Sequence, residues 1–425
     1  MSAPDFPTLE GDTECEALVI GGGMAGILTA RFLSERGIHT VVAEARQIGG
    51  GATGNTTAVI TAQHDLLYGR LRKARGTEAA RQYLNANLFA VGEFRRRAAD
   101  CDFEDVPSFM YSVTDWKTPE SEAEFLCRLG YPAKFITELP LPFKIAGAVK
   151  FGGMAQFHPL KFLYAQSAGL NIYEHTFVDK VKNNTAYTRE GFRIKARHIV
   201  VATHFPFING KGLYFVKMCQ NRSYVLALGA GQDADIGGTY TEYEGDGLYF
   251  RHYKGLLLAG GADRRVGKPG GGYERVGEFA AKYYPNAPRI YAWSAQDGMT
   301  LDAVPYIGRY ASARDNLYVA AGFNEWGMTS SMIAARVIAD SITGEHNDFA
   351  EVFAPNRGML TPQLFKNLGT TLANFVKPTV KRCPHLGCAL KFNKKERTWE
   401  CPCHGSRFTE QGKLIDNPAK KDAQV

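Results

Sequence analysis

Long apolar runs are missing from this chain. The longest, such as Leu18 to Leu33, is broken by glycine and arginine well before it could cross a bilayer. The opening stretch MSAPDFPTLEGD has no basic cluster and no apolar centre, so it reads as neither signal nor transit peptide. Cytoplasmic residence with no transmembrane segment is the expectation. Internal repeats are also lacking, which excludes solenoids and propellers. Cysteine is sparse over most of the length, with Cys15, Cys101, Cys127 and Cys219 scattered. The other four, Cys383, Cys388, Cys401 and Cys403, crowd a window of 21 residues. Without a secretory signal, such a cluster points to a metal site rather than a disulfide framework.

What remains has globular composition, 45% hydrophobic and 22% charged, and its 425 residues suffice for two or three domains. The formal charge of +7 sits wholly in the tail: residues 366–425 carry 12 Lys or Arg against 5 Asp or Glu, and the rest is balanced. A basic tail can serve nucleic acid or an acidic membrane face, but the expectation is a solvated surface that steers an acidic protein partner. Nucleic acid is not expected, because no recognition helix or base-stacking motif accompanies the charge.

ECEALVI, GGGMAG, ILTARFLSERG and HTVVAEA follow one another as strand, glycine turn, helix and strand, a βαβ unit with strands apolar on both faces. ARHIVVATH and NLYVAAG read as further buried strands, and SSMIAARVIADSI as a helix. Residues 76–100 have helical composition, whereas 205–292 alternate aromatic and β-branched segments with glycine, as in an antiparallel sheet. From 347 to 378 the composition shifts to proline, asparagine and lysine, which predicts a linker with some helix and a boundary near Gln363.

Gly21, Gly23 and Gly26 form GxGxxG between a strand and a helix. Gly21 allows the tight turn, Gly23 lets a pyrophosphate approach the backbone, and Gly26 lets helix pack on strand. The helix N-terminus offers free N–H groups to phosphate, and Glu44, ending the second strand, is placed to accept from a ribose diol. Dinucleotide binding follows, without a choice between FAD and NAD.

In the tail, Cys383-Pro-His385 and Cys401-Pro-Cys403-His404 place two thiolates and two imidazoles on two loops. This set suits a 2Fe-2S centre with Cys383 and Cys401 on one iron and His385 and His404 on the other. A zinc site or a redox dithiol would also use such residues.

The segments VIGGGMAG, IGGGATGNTTA, VVATH, DAVPYIG and AAGFNEWGMTSS resemble those of FAD-dependent oxidoreductases of the D-amino-acid oxidase and glycine oxidase type, over about the first 350 residues. The resemblance implies FAD, touched by Ala52, Thr53, Val178, Gly327, Met328 and Thr329. No His or Cys occurs from Gly51 to Thr57, so the flavin is expected to be non-covalent. CPHLGC and CPCHGS resemble the two boxes of Rieske proteins, which implies a disulfide between Cys388 and Cys403. Two departures stand out. Phe408 replaces a tyrosine usual in high-potential members, which implies a lower potential, and little chain is left for a base sheet, so the cluster lobe is expected to lean on the flavin domain.

The implied fold class is α/β: an FAD-binding Rossmann-like domain (about 1–70, 150–204 and 297–350) with an inserted α+β substrate domain (about 71–149 and 205–296). The flavoprotein part spans 1–362, a linker 363–378, and a small all-β Rieske module 379–425. The expected activity is oxidation of an amine or amino acid by a dehydrogenase, with electrons passing from FAD to the cluster and on to an external acceptor. An oxygen-using oxidase with a structural cluster, or a non-catalytic electron-transfer or redox-sensing protein, are the alternatives. By resemblance, Asp297 occupies the place of an arginine that clamps a substrate carboxylate, which would favour an ammonium group instead. Arg251 and Tyr249 are further catalytic candidates, and His252, Arg264 and His204 are more remote ones.

Overall fold

The computed structural model describes residues 3–232, 235–311 and 316–425. Thr13–Ile20 lies between Thr40–Ala43 and Arg193–Val201 in a parallel sheet, extended by Asn171–Tyr173 beside the former and Leu317–Ala321 beside the latter. The antiparallel hairpin Val178–Lys182 and Thr185–Thr188 completes one edge, and Tyr306–Arg309 runs antiparallel to Leu317–Ala321. The strands are apolar and buried because helices cover them: Met24–Ser34 and Gly327–Thr343 pack together in the main core. The nucleotide-binding half thus draws on the start, the middle and the end of the flavoprotein part.

A second eight-stranded sheet, mostly antiparallel, runs in the order Arg289–Met299, Cys219–Gly229, Leu256–Arg265, Tyr249–Tyr253, Thr239–Glu242, Ser108–Ser112, Gly147–Phe151, Lys134–Ile136. Its strands Gly147–Phe151 and Arg289–Met299 run through the expected junctions near 149 and 296. A paired strand has no reason to stop where composition changes. The helix expected at 76–100 spans Leu67–Arg97. Gly76, at φ +87° and ψ 168°, joins two helical pieces through a kink, and this breaker hides the earlier start.

The last 35 residues contain a four-stranded antiparallel meander, Lys391–Asn393, Thr398–Glu400, Arg407–Thr409 and Leu414–Asp416. The expected linker is largely a helix, Pro362–Phe375, with Thr361 accepting from Leu364 N at its start. It is no slack tether: Asn367 receives a hydrogen bond from Arg265 and donates to Val216 O. Among the described residues, no helix is long and apolar enough to cross a membrane.

Candidate functional site

A cavity of about 870 Å³ opens where the two large sheets meet, and Gly21, Gly23, Glu44, Ala52, Thr53, Val178, Gly327 and Met328 line it. The glycines do what their spacing requires. A Cβ on Gly21, at φ +111°, would lie 2.5 Å from Ala202 O, and one on Gly26 would lie 1.8 Å from Gly21 O. Gly26 therefore acts through packing and does not reach the cavity wall. Gly23 leaves room, since a Cβ there would meet only Thr53 Oγ1, at 3.3 Å. Thr53 Oγ1 accepts from Met24 N (3.0 Å), and Glu44 accepts from Gly22 N (2.6 Å) and Arg46 N (2.8 Å). The open cradle at a helix start fits a dinucleotide phosphate.

Thr329 is not among the lining residues; its hydroxyl lies 3.0 Å from His64 Nε2 and donates to Thr61 O.

Asp65, Asp263, Asp297 and Glu325 all line the cavity, as does Tyr249, and Arg70, another lining residue, lies 3.8 Å from Asp65. Burial pushes the Asp297 carboxyl up to about 6, Asp263 pushes it the same way, and His204 opposes them. Asp263 is also pushed up to about 6, by burial first, with Glu325 and Arg264 opposing. Glu325 is raised well above the usual carboxylate range by burial, then by Asp263, Asp297 and Asp65. Asp65 and Glu325 sit on left-handed backbone, φ +47° and +74°, a conformation costing about 1–3 kcal/mol for a residue with a side chain. Such strain is typical of residues held in place for a task. Asp65, Asp263 and Glu325 escaped sequence reading because they come from three segments. Glu325 alone left a trace, two residues before Gly327 inside a segment already singled out.

The other candidates divide. Arg251 faces the cavity but is largely engaged: Nε donates to Thr57 O, and Nη1 to Gln156 Oε1 (3.1 Å). It reads as a brace between the substrate sheet and the flavin-side loop rather than a catalytic group. Tyr249 lines the wall 3.5 Å from Ser223 Oγ, with its phenol pushed up by burial and then by Asp263. Arg264 bonds Asp263 O and Asp246, and the buried His252 lies 3.7 Å from Asp235, so neither lines the cavity. His204 does line it.

The two cluster loops share one hydrogen-bond pattern. Cys383 N donates to Cys388 O and Gly387 N to Cys383 O; Cys401 N donates to Ser406 O and Gly405 N to Cys401 O. Gly387 (φ +79°) and Gly405 (φ +88°) supply the left-handed residue that each turn needs. His385 and His404 meet with ring centroids 5.0 Å apart. His385 Nδ1 and His404 Nε2 are buried and lack a hydrogen-bond partner, whereas His385 Nε2 is 3.1 Å from Asn209 Oδ1. An orphaned ring nitrogen opposite a fixed one is what a metal ligand requires. The cysteine thiols crowd one another, which pulls Cys401 below its usual range and pushes Cys383 above it. Cys388 and Cys403, the pair for which the resemblance implies a disulfide, lie close together, with sulfurs within 4.8 Å of each other and of Cys401.

The lobe leans on the flavin part, as its small size implies. Arg265 donates to Pro402 O (2.9 Å) and Cys403 O (2.8 Å), and Arg222 pairs with Glu396 and, at 3.5 Å, Glu400. Gln220 donates to His404 O (2.7 Å), while its Oε1 is 3.2 Å from His204 Nε2 and accepts from Gln296 (2.9 Å). Residues 414–420 of the lobe form part of the cavity wall. One side chain therefore touches a cluster-ligand residue and a residue of the flavin cavity.

Comparison with known proteins agrees with both sites. The FAD dependent oxidoreductase family matches residues 16–341, and the Rieske [2Fe-2S] domain matches 373–425. The putative Rieske 2Fe-2S iron-sulfur protein YhfW of Bacillus subtilis (strain 168) is 32% identical, over 98% of this chain and 94% of its own. Gamma-glutamylputrescine oxidoreductase of Escherichia coli (strain K12) is 24% identical, over 81% of this chain and 87% of its own. The crystal structure of L-proline dehydrogenase from P. horikoshii shares the fold, with a TM-score of 0.68 at 20% identity, covering 81% of this chain and 98% of that one. The chain belongs to the FAD-dependent oxidoreductase family and ends in a Rieske 2Fe-2S domain.

Proposed function

We propose that the protein is an amine dehydrogenase whose electrons leave through its Rieske module to an external one-electron acceptor. FAD supplies hydride acceptance and the 2Fe-2S cluster supplies single-electron transfer. The observation that carries the amine reading is the ring of Asp65, Asp263, Asp297 and Glu325 around one cavity wall. A carboxylate substrate would meet Asp263, Asp297 and Glu325 there, with Arg70 offsetting only Asp65. An ammonium group would be drawn in, and binding it would favour the ionised forms that burial now disfavours.

Oxidising an amine to an imine removes two electrons and a proton as hydride from carbon, and a second proton from nitrogen. Asp297, with its pKa near 6, can hold that second proton. Tyr249 and Arg251 shape the wall and exclude water. Gln220, between His404 O and His204, supports the internal route, because it leaves no solvent layer between lobe and cavity at that point. The names of the Escherichia coli relative and the proline dehydrogenase also point to nitrogen-bearing substrates.

The test is anaerobic mixing with paired compounds, each an amine and the amino acid that carries an added carboxylate. Flavin bleaching is followed optically and cluster reduction by electron paramagnetic resonance. Amines are expected to bleach the flavin and then reduce the cluster, with little peroxide when air is admitted. Faster bleaching by the carboxylate-bearing partner would refute the amine assignment, and stoichiometric peroxide with an oxidised cluster would refute the relay.

A further inference from the structure

The helix Pro362–Phe375 is built inside out. Its buried positions are Leu364, Asn367 and Asn374, two of them amides, whereas Phe365, Leu368, Leu372 and Phe375 face outward. A helix on a water-exposed surface shows the opposite arrangement. The exposure is large: Phe365 64%, Leu372 65% and Val376 68%, flanked by Leu360 at 87% and Val380 at 91%. Leu386, next to the cluster ligand His385, continues the patch, and a Cβ on Gly387 would lie 3.7 Å from the Phe375 ring. The apolar face therefore runs from the helix onto the cluster loop. Scattered surface leucines need no explanation, but a contiguous stripe of this kind marks a contact.

The charge around it has one sign. From 352 to 395 the chain has no Asp or Glu and eight Lys or Arg, among them the exposed Lys366 and Lys377 beside the stripe. We propose that this face seats the protein on an anionic membrane surface, with the helix lying in the headgroup region and its phenylalanines and leucines in the acyl boundary. An apolar face flanked by lysines is the composition of interfacial helices. At 14 residues the helix lies on a bilayer and cannot span it. A second copy of this chain fits less well, because a two-fold contact would set basic rim against basic rim. The protruding side chains form a convex ridge, which lipid accommodates without a matching groove. The cluster loop, continuous with the ridge, then lies at the membrane. This inference does not depend on the substrate or on the internal relay.

The experiment uses the full chain with both cofactors, sedimented with vesicles of phosphatidylcholine alone or mixed equally with phosphatidylglycerol. Binding is expected to the mixed vesicles and to weaken in high salt. The variant Phe365→Ser with Leu372→Ser is expected to bind at least about tenfold more weakly, with flavin and cluster spectra unchanged. Lys366→Gln and Lys377→Gln are each expected to weaken it about fivefold. Failure to sediment with mixed vesicles overturns the proposal. So does binding that the double variant leaves intact, or a dimer in sedimentation velocity that the double variant turns into a monomer.

Discussion

The cluster site and the substrate end of the flavin cavity are built by opposite means. Each cluster loop closes within six residues, through the same pair of backbone hydrogen bonds and a glycine at the same place. The acidic wall draws Asp65, Asp263, Asp297 and Glu325 from distant parts of the chain, and two of them sit on left-handed backbone. A metal site is specified locally because its ligands must meet at bonding distance. A substrate wall is specified by how sheets pack, so its charge emerges only when they do.

The local site should fail in isolation from the other. Cys401→Ser is expected to abolish iron and labile sulfide while the flavin stays bound, since no cluster loop enters the glycine cradle; loss of both cofactors would show that the two sites fold as one. The joint between them comes next. Arg222→Met strands Glu396 and Glu400 in a buried contact, and is expected to lower stability by about 3–5 kcal/mol. Thermal unfolding followed by cluster and flavin absorbance checks this, with the cluster signal lost first.

The dispersed site is probed by Asp297→Asn, expected to lower kcat/KM for an amine by about 10- to 100-fold, as for one lost charge-assisted contact. Its pH signature has a definite sign. Asp263 and Asp297 have folded-state pKa values pushed up to about 6, against 3.8 when unperturbed, so the folded chain holds protons that the unfolded chain has released. Stability should therefore fall as pH rises from about 4 to about 6, and Asp297→Asn should flatten that slope in denaturant titrations. The smallest effect is expected at Phe408, buried in the lobe and paired with Trp399 across its sheet. Phe408→Tyr should raise the cluster potential by about 40 mV if its hydroxyl reaches a ligand sulfur, the equivalent of one hydrogen bond. A redox titration reads it.

Legibility followed the same division. Gly21, Gly23, Gly26 and the strands around them stood out because a phosphate cradle is a contiguous turn between two elements. Ala52, Thr53, Val178, Gly327 and Met328 were placed through resemblance, and all five line the cavity. Thr329, named with them, is not among the lining residues. Cys388 and Cys403, paired by resemblance, come together in the fold. The helix Pro362–Phe375 passed for a linker because its apolar positions say nothing about which side faces the protein.

The sequence alone singled out the phosphate cradle and the two Cys and two His expected to hold the cluster, since both are short-range patterns carried by spacing. Tertiary structure decided that four carboxylates share one cavity, that Arg222, Arg265 and Gln220 fasten the lobe against it, and that a helix turns its asparagines inward and its phenylalanines out. These depend on which surfaces meet, and a linear chain does not record that until the sheets have packed.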